Sequence, residues 1–168
     1  MISASHQKAI DSLVIQDVYL RNTSSIIQDE FDPKYGIEKD SLSIEFKHYV
    51  KESMVIELEG DGQLLRVLIS VGARWMGNNL EDKDKDESVM AQIEAEYVAE
   101  YSMTEMLEND CIDEFSLKNS SYHVWPYWRE FLSSQCDRMQ LPKVILPTVQ
   151  FATNHDVCDK TEETELKN

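Results

Sequence analysis

The stretch 92–101 tightly limits what this chain can fold into. Ile93, Ala95, Tyr97, Ala99 and Tyr101 occupy every second position, while Gln92, Glu94, Glu96 and Glu100 fill the positions between them. Val98 is the single break in the alternation. Successive side chains of a strand point to opposite faces, so this period of two predicts a strand with one buried and one wet face. A half-buried strand needs a sheet, and the sheet needs something to cover it. Glu94, Glu96 and Glu100 would then line up on the wet face, where like charges repel. They form either a solvated face or a docking face for a basic partner.

Three further strands precede it. Residues 13–20 are rich in β-branched and large apolar side chains and predict a mostly buried strand. Leu42, Ile44 and Phe46 alternate with Ser43, Glu45 and Lys47, and 55–59 extends that strand beyond an irregularity at 51–53. Gly60-Asp61-Gly62 offers the positive-φ residues of a tight hairpin. After it, Leu65, Val67, Ile69, Val71, Ala73 and Trp75 share one face, and Leu64 and Leu68 make part of the other face apolar too. Between the first two strands, Asp32-Pro33 and Gly36 mark a loop that carries Phe31, Tyr35 and Ile37.

The pattern then turns helical. Residues 103–117 have mixed helical potential, and a longer helix is predicted from about 121 to 139. There Val124, Trp128, Phe131, Leu132, Gln135 and Met139 form a mostly apolar stripe. Pro126 is expected in the first turns of that helix, where its missing N–H costs little. Pro142 ends the pattern. The expected organisation is a flexible N-terminus (1–12), one domain (13–152) and an acidic polar tail (153–168). The fold class is α+β, a four-stranded antiparallel sheet packed with one long C-terminal helix.

Composition narrows the function. A formal net charge of −16 opposes binding to nucleic-acid phosphates or anionic lipid. No apolar run is long enough to cross a bilayer, and 1–8 lacks a signal-peptide core, so the expected location is cytoplasmic. Cys111, Cys136 and Cys158 are widely spaced and odd in number, which fits reduced thiols. Neither a phosphate-binding glycine loop nor a nucleophile elbow nor a zinc-protease motif is present. His155 and Cys158 lack a second ligand pair, and Cys136 falls beside the apolar stripe, as a core cysteine would. The expectation is a protein without catalytic residues and without a metal.

The run Val124-Trp125-Pro126-Tyr127-Trp128-Arg129-Glu130-Phe131-Leu132 resembles the start of the long helix in SecB-family chaperones, where an aromatic-Pro-Tyr-x-Arg-Glu motif begins it. Arg138-Met139-Gln140-Leu141-Pro142 and the following Lys143-Val144-Ile145-Leu146-Pro147 resemble that family's exit from the helix. Leu13-Val14-Ile15-Gln16-Asp17-Val18-Tyr19 is similar to its first strand, and the order of elements agrees. The resemblance covers roughly 13–151.

The resemblance implies a holdase that works without ATP or cofactor, assembled as a homotetramer, a dimer of dimers. Clients would bind as extended, unfolded segments in apolar grooves between sheet, helix and crossover loop. On this chain it points to Phe31, Tyr35 and Ile37, with Ile26, Ile27, Val67, Ile69, Trp125 and Leu141 as secondary client-binding candidates. For each of these, core or subunit packing is the competing reading. Pro126, Tyr127 and Arg129 are read as structural, a helix start and a polar contact holding it.

Two departures matter. Export-dedicated members dock the motor SecA on acidic residues of the first strand, and the matching positions here are Asn22 and Ile26. Glu94 does fall near a second docking position. The amphipathic last helix of the export members is also missing. These differences favour the branch that serves toxin–antitoxin systems by holding an aggregation-prone antitoxin. General export with SecA is the alternative within the class. Outside it stands an acidic interaction module that inhibits a basic partner.

Overall fold

A computed structural model describes residues 3–36, 42–60, 62–77 and 89–146. Four long strands, β1 (Leu13–Ile27), β2 (Leu42–Glu57), β3 (Gln63–Gly77) and β4 (Val89–Met103), form one antiparallel sheet. Their order is β1-β4-β3-β2, so β1 and β2 are its edges. The inner face is built as the alternation predicts. Leu65, Val67, Ile69, Val71, Ala73 and Trp75 of β3 are fully buried, and beside them lie Ala91, Ile93, Ala95, Tyr97, Ala99 and Tyr101 of β4. The hairpin turn places Gly60 at φ 94°, a conformation open to glycine at little cost. The expected irregularity in β2 is a bulge, at which Lys51 has no partner in the ladder between Val50 and Glu52.

The helical layer differs from the expectation in three respects. First, the helix predicted from about 121 to 139 has those bounds, but helical backbone also precedes it. Helix α2 (Asn109–Phe115) runs through a π-helical turn (Ser116–Ser120) into helix α3 (Ser121–Met139), with right-handed backbone at both junctions. Second, Pro126 stands in the early turns of α3, but with helical backbone ahead of it the proline lies inside a longer helical run. A proline there removes a backbone donor, and the hydrogen bond to the carbonyl of Tyr122 is lost. Arg129, read as a polar contact at a helix start, is exposed and bonds to no described residue. Tyr127 contributes through its backbone, since its carbonyl accepts from the Tyr97 hydroxyl at 3.3 Å.

Third, Ala4–Ser12, expected as part of a flexible N-terminus, is helix α1. Ser3 caps it by accepting from the His6 amide at 3.1 Å. The hydroxyls of Ser3 and Ser5 donate to Glu114 of α2 at 2.6 and 2.7 Å, and Ala9 is buried. Those two bonds and Lys118 hold the Glu114 carboxyl down at about 2, the lysine contributing most.

Helix α3 turns Val124, Trp128, Leu132 and Cys136 onto the sheet, spaced four residues apart. Burial raises the pKa of the Cys136 thiol, the state of a packed core cysteine. Tyr101 ties the layers together: its ring meets Phe115 edge to face at 5.0 Å, and its hydroxyl lies 2.9 Å from His123 Nδ1. Gln140, at φ 57°, ends the helix, and Leu141 N donates to the Cys136 carbonyl. The tail from 153 onward, Cys158 included, lies outside the described residues.

Candidate functional site

The helices cover the sheet unevenly. The centre, β3 and β4, is sealed, whereas the inner face of β2 is only partly roofed. Register pairs Ile44 with Trp75, Phe46 with Ala73, His48 with Val71 and Val50 with Ile69, so all four point to the helix side. Ile44 and Val50 are half-buried, Phe46 is 53% exposed and Val55 further along is 40% exposed. From above, Trp125 of α3 reaches His48, and the ring centroids stand 6.2 Å apart, edge to face. The result is a groove walled by the edge strand below and the Trp125 indole above. Ile44, Phe46 and Val50 give it apolar lining, with His48 among them, whose pKa is lowered by desolvation. Among the described residues, the outer backbone edge of β2 pairs with no strand.

The residues expected to contact a client separate into two groups. Phe31, Val67, Ile69 and Leu141 are buried core side chains. They offer a client no surface in the single chain, and core packing is the reading they fit. Tyr35 is 81% exposed, Ile26 is exposed, and Ile27 and Trp125 are half-buried. Ile26 faces the outer side of the sheet, opposite Gln92, whereas Ile27 faces the inner side, opposite Ala91. Ile37 lies outside the described residues.

The loop after β1 explains why neighbouring aromatics have opposite fates. The Phe31 amide donates to the Gln28 carbonyl and turns the ring into the core. Asp32 then builds a turn: its side chain accepts from the amides of Lys34 and Tyr35, and its carbonyl accepts from Gly36. This turn carries Tyr35 outward, and Lys34 Nζ sits 5.1 Å from the Tyr35 ring centroid.

Sequence reasoning placed Phe46 only on a strand face. Its place on an edge strand, where a neighbouring strand is missing on one side, is what leaves it accessible.

The acidic ladder of β4 is internally neutralised. Glu94 meets Lys47 at 2.8 Å and Arg74 at 3.8 Å, Glu96 meets Lys51 at 2.5 Å, and Glu100 meets Arg66 at 2.7 Å. Tyr19 also donates to Glu100. Cross-strand cations thus relieve the repulsion within the ladder. Asn22 pairs with Glu96 in the ladder and brings no charge of its own. Val98, the break in the alternation, is buried on this outer face together with Leu68.

No protein-family model matches the chain, and no curated protein matches it in sequence. Among solved structures it is similar to the Mycobacterium tuberculosis Rv1957 SecB-like chaperone, solved in complex with a ChAD peptide from the Rv1956 HigA1 antitoxin. The TM-score is 0.67 at 16% sequence identity, over 88% of this chain and 97% of that one. The four-stranded antiparallel sheet in the order β1-β4-β3-β2, backed by a long C-terminal helix, is the SecB-like fold.

Proposed function

We propose that the protein is an ATP-independent chaperone that holds unfolded polypeptides, its direct client being the antitoxin of a toxin–antitoxin system. The observation that carries this reading is the partly roofed groove between Phe46, Ile44 and Val50 of β2 and Trp125 of α3, next to an unpaired strand edge. An extended chain can donate and accept along that edge while every second side chain enters the groove. Such recognition reads backbone and apolarity and not sequence, which suits a holdase. Ile27, at the end of the opposite edge strand β1, and Tyr35, in the loop after it, are further accessible candidates for client contact. The similar Rv1957 protein was solved with an antitoxin peptide bound, which supports the same client class here.

The reading includes a homotetramer in the cytoplasm, working without a cofactor and catalysing no reaction. The open edge of β1 supports self-association, because Val14, Ile15 and Leu20 are all exposed along it. No described helix is long and apolar enough to cross a membrane. Light scattering of a reduced, diluted model client with and without the protein tests the holdase activity. Suppressed aggregation supports the proposal, and unchanged aggregation at several-fold excess contradicts it.

A further inference from the structure

The two edges of the sheet differ in how regular they are. From Leu42 to Val50 nine consecutive residues of β2 pair with β3 without interruption, and the ladder resumes at Glu52 after passing over Lys51. On the other edge β1 is broken twice, at Gln16 and Arg21, so its longest unbroken run is the six residues from Asn22 to Ile27. Among the described residues, the longest regular stretch of free edge is therefore 42–50. The groove lining changes at the same bulge. Upstream of it, Leu42, Ile44, Phe46, His48 and Val50 face inward, and four of these five are apolar. Downstream, Ser53, Val55 and Glu57 face inward, and Val55 is the only apolar one. Lys51 itself is held on the outer face, where its Nζ lies 2.5 Å from Glu96 Oε1.

We infer that the Lys51 bulge is a register stop, and that the edge upstream of it takes an extended client segment of about nine residues with apolar side chains at every second position. This role rests on the groove holding a client, as proposed above. A regular strand pairs residue for residue and sends alternate side chains to one face. The extra residue reverses the phase of β2: inward positions are even up to Val50 and odd from Ser53 onward. An unbulged client that continued past Lys51 would set its inward side chains beside outward residues such as Glu52, and its backbone groups would fall out of step with those of β2. Regular pairing and apolar lining thus end together, and both define the same short segment. Selection acts on length and alternation of the client, which leaves its sequence otherwise free.

The test titrates the full chain, by fluorescence anisotropy, with labelled peptides of nine and fifteen residues that alternate leucine and threonine, the lengths of the ladder before the bulge and across it. A third peptide has the nine-residue composition with its leucines in pairs. On the unaltered chain, lengthening the peptide should change affinity by less than about threefold, and pairing the leucines should weaken it on the order of tenfold. Deletion of Lys51 joins the two halves of the ladder with every other partner and face unchanged. The longer peptide should then gain on the order of tenfold from its added ladder bonds, while the shorter one binds as before. Lys51→Ala keeps the bulge, removes the Glu96 pair and should behave as the unaltered chain. Thermal melts show whether each variant folds, and an unfolded deletion variant leaves the decision to the length comparison on the unaltered chain. A tenfold gain on lengthening in the unaltered chain, equal binding of the paired-leucine peptide, or no gain in a folded deletion variant would each overturn the inference. A nine-residue peptide that fails to bind while client aggregation is still suppressed overturns the register stop and leaves the chaperone reading standing. If aggregation is not suppressed either, both fall. A particle mass that drops as the peptide saturates would make a second copy the occupant of the edge, and that too overturns the inference.

Discussion

His48 on the edge strand and Trp125 on the long helix meet edge to face, with ring centroids 6.2 Å apart, and this contact sets the width of the groove beside Phe46. The helix reaches the edge strand here through this aromatic pair, while the sheet centre is fully sealed. The strand therefore keeps apolar side chains and a free backbone edge in reach of solvent. Such a surface is a liability for aggregation unless it has an occupant.

Phe46→Ser should weaken the holding of an unfolded client several-fold while shifting the folding stability by no more than about 0.5 kcal/mol, since the ring is half-exposed. Tyr49→Ser, on the same strand but facing the other side of the sheet opposite Ser70, should leave client holding unchanged. Aggregation assays together with thermal melts separate the two effects.

Gly36→Ala should destabilise the crossover turn. A Cβ there would lie 2.8 Å from the Asp32 carbonyl oxygen, a backbone atom that cannot swing aside. A loss of about 1 kcal/mol is expected. Because the same turn presents Tyr35, client holding should fall as well. Denaturant melts of the variant check the stability.

Stability should fall on acidification below pH 6.5. Burial lowers the pKa of His123, so the unfolded chain takes up protons at a higher pH than the folded one. The contribution is complete above the ordinary histidine value near 6.5 and is lost as pH falls toward the lowered one. His123→Asn should flatten the melting temperature between pH 7.5 and 5.5 relative to the unaltered chain. It should also lower stability at pH 7.5 by about 1 kcal/mol through the lost bond to Tyr101.

SecA should not be retained by the immobilised protein, even at low salt. The glutamates that could attract it, Glu94, Glu96 and Glu100, are each held by a lysine or arginine of β2 or β3, and Asn22 and Ile26 bring no charge from β1. Salt-sensitive retention would restore the export reading in place of the antitoxin one.

Much of this architecture was legible in the residues. Alternation at 65–75 and 93–101 marked the buried face, since a strand beneath a helical layer must place every second side chain inward. The limits of α3 at its C-terminal end followed from Pro142. Its start near 121 followed as well, but the π-helical turn ahead of it did not, because Ser116, Lys118, Asn119 and Ser120 carry no helical stripe. That gap hid the helical backbone ahead of α3, which puts Pro126 inside a longer helical run. Helix α1 was equally hidden: its anchors, Glu114 and Asn119, lie more than a hundred residues away. The candidate site was half legible. Trp125 and Tyr35 were identified, but composition could not show that Phe31 turns inward, which the Gln28 carbonyl decides, or that the edge position of β2 exposes Phe46.

The most direct test places a photo-crosslinking amino acid at position 46 and, in a separate variant, at position 49, then adds an unfolded client and irradiates. The account predicts strong client crosslinks from 46 and few from 49, with unlabelled client as competitor abolishing the signal at 46. Equal crosslinking from both faces, or none from 46 while the client remains bound, would contradict the groove as the place where this protein holds its client.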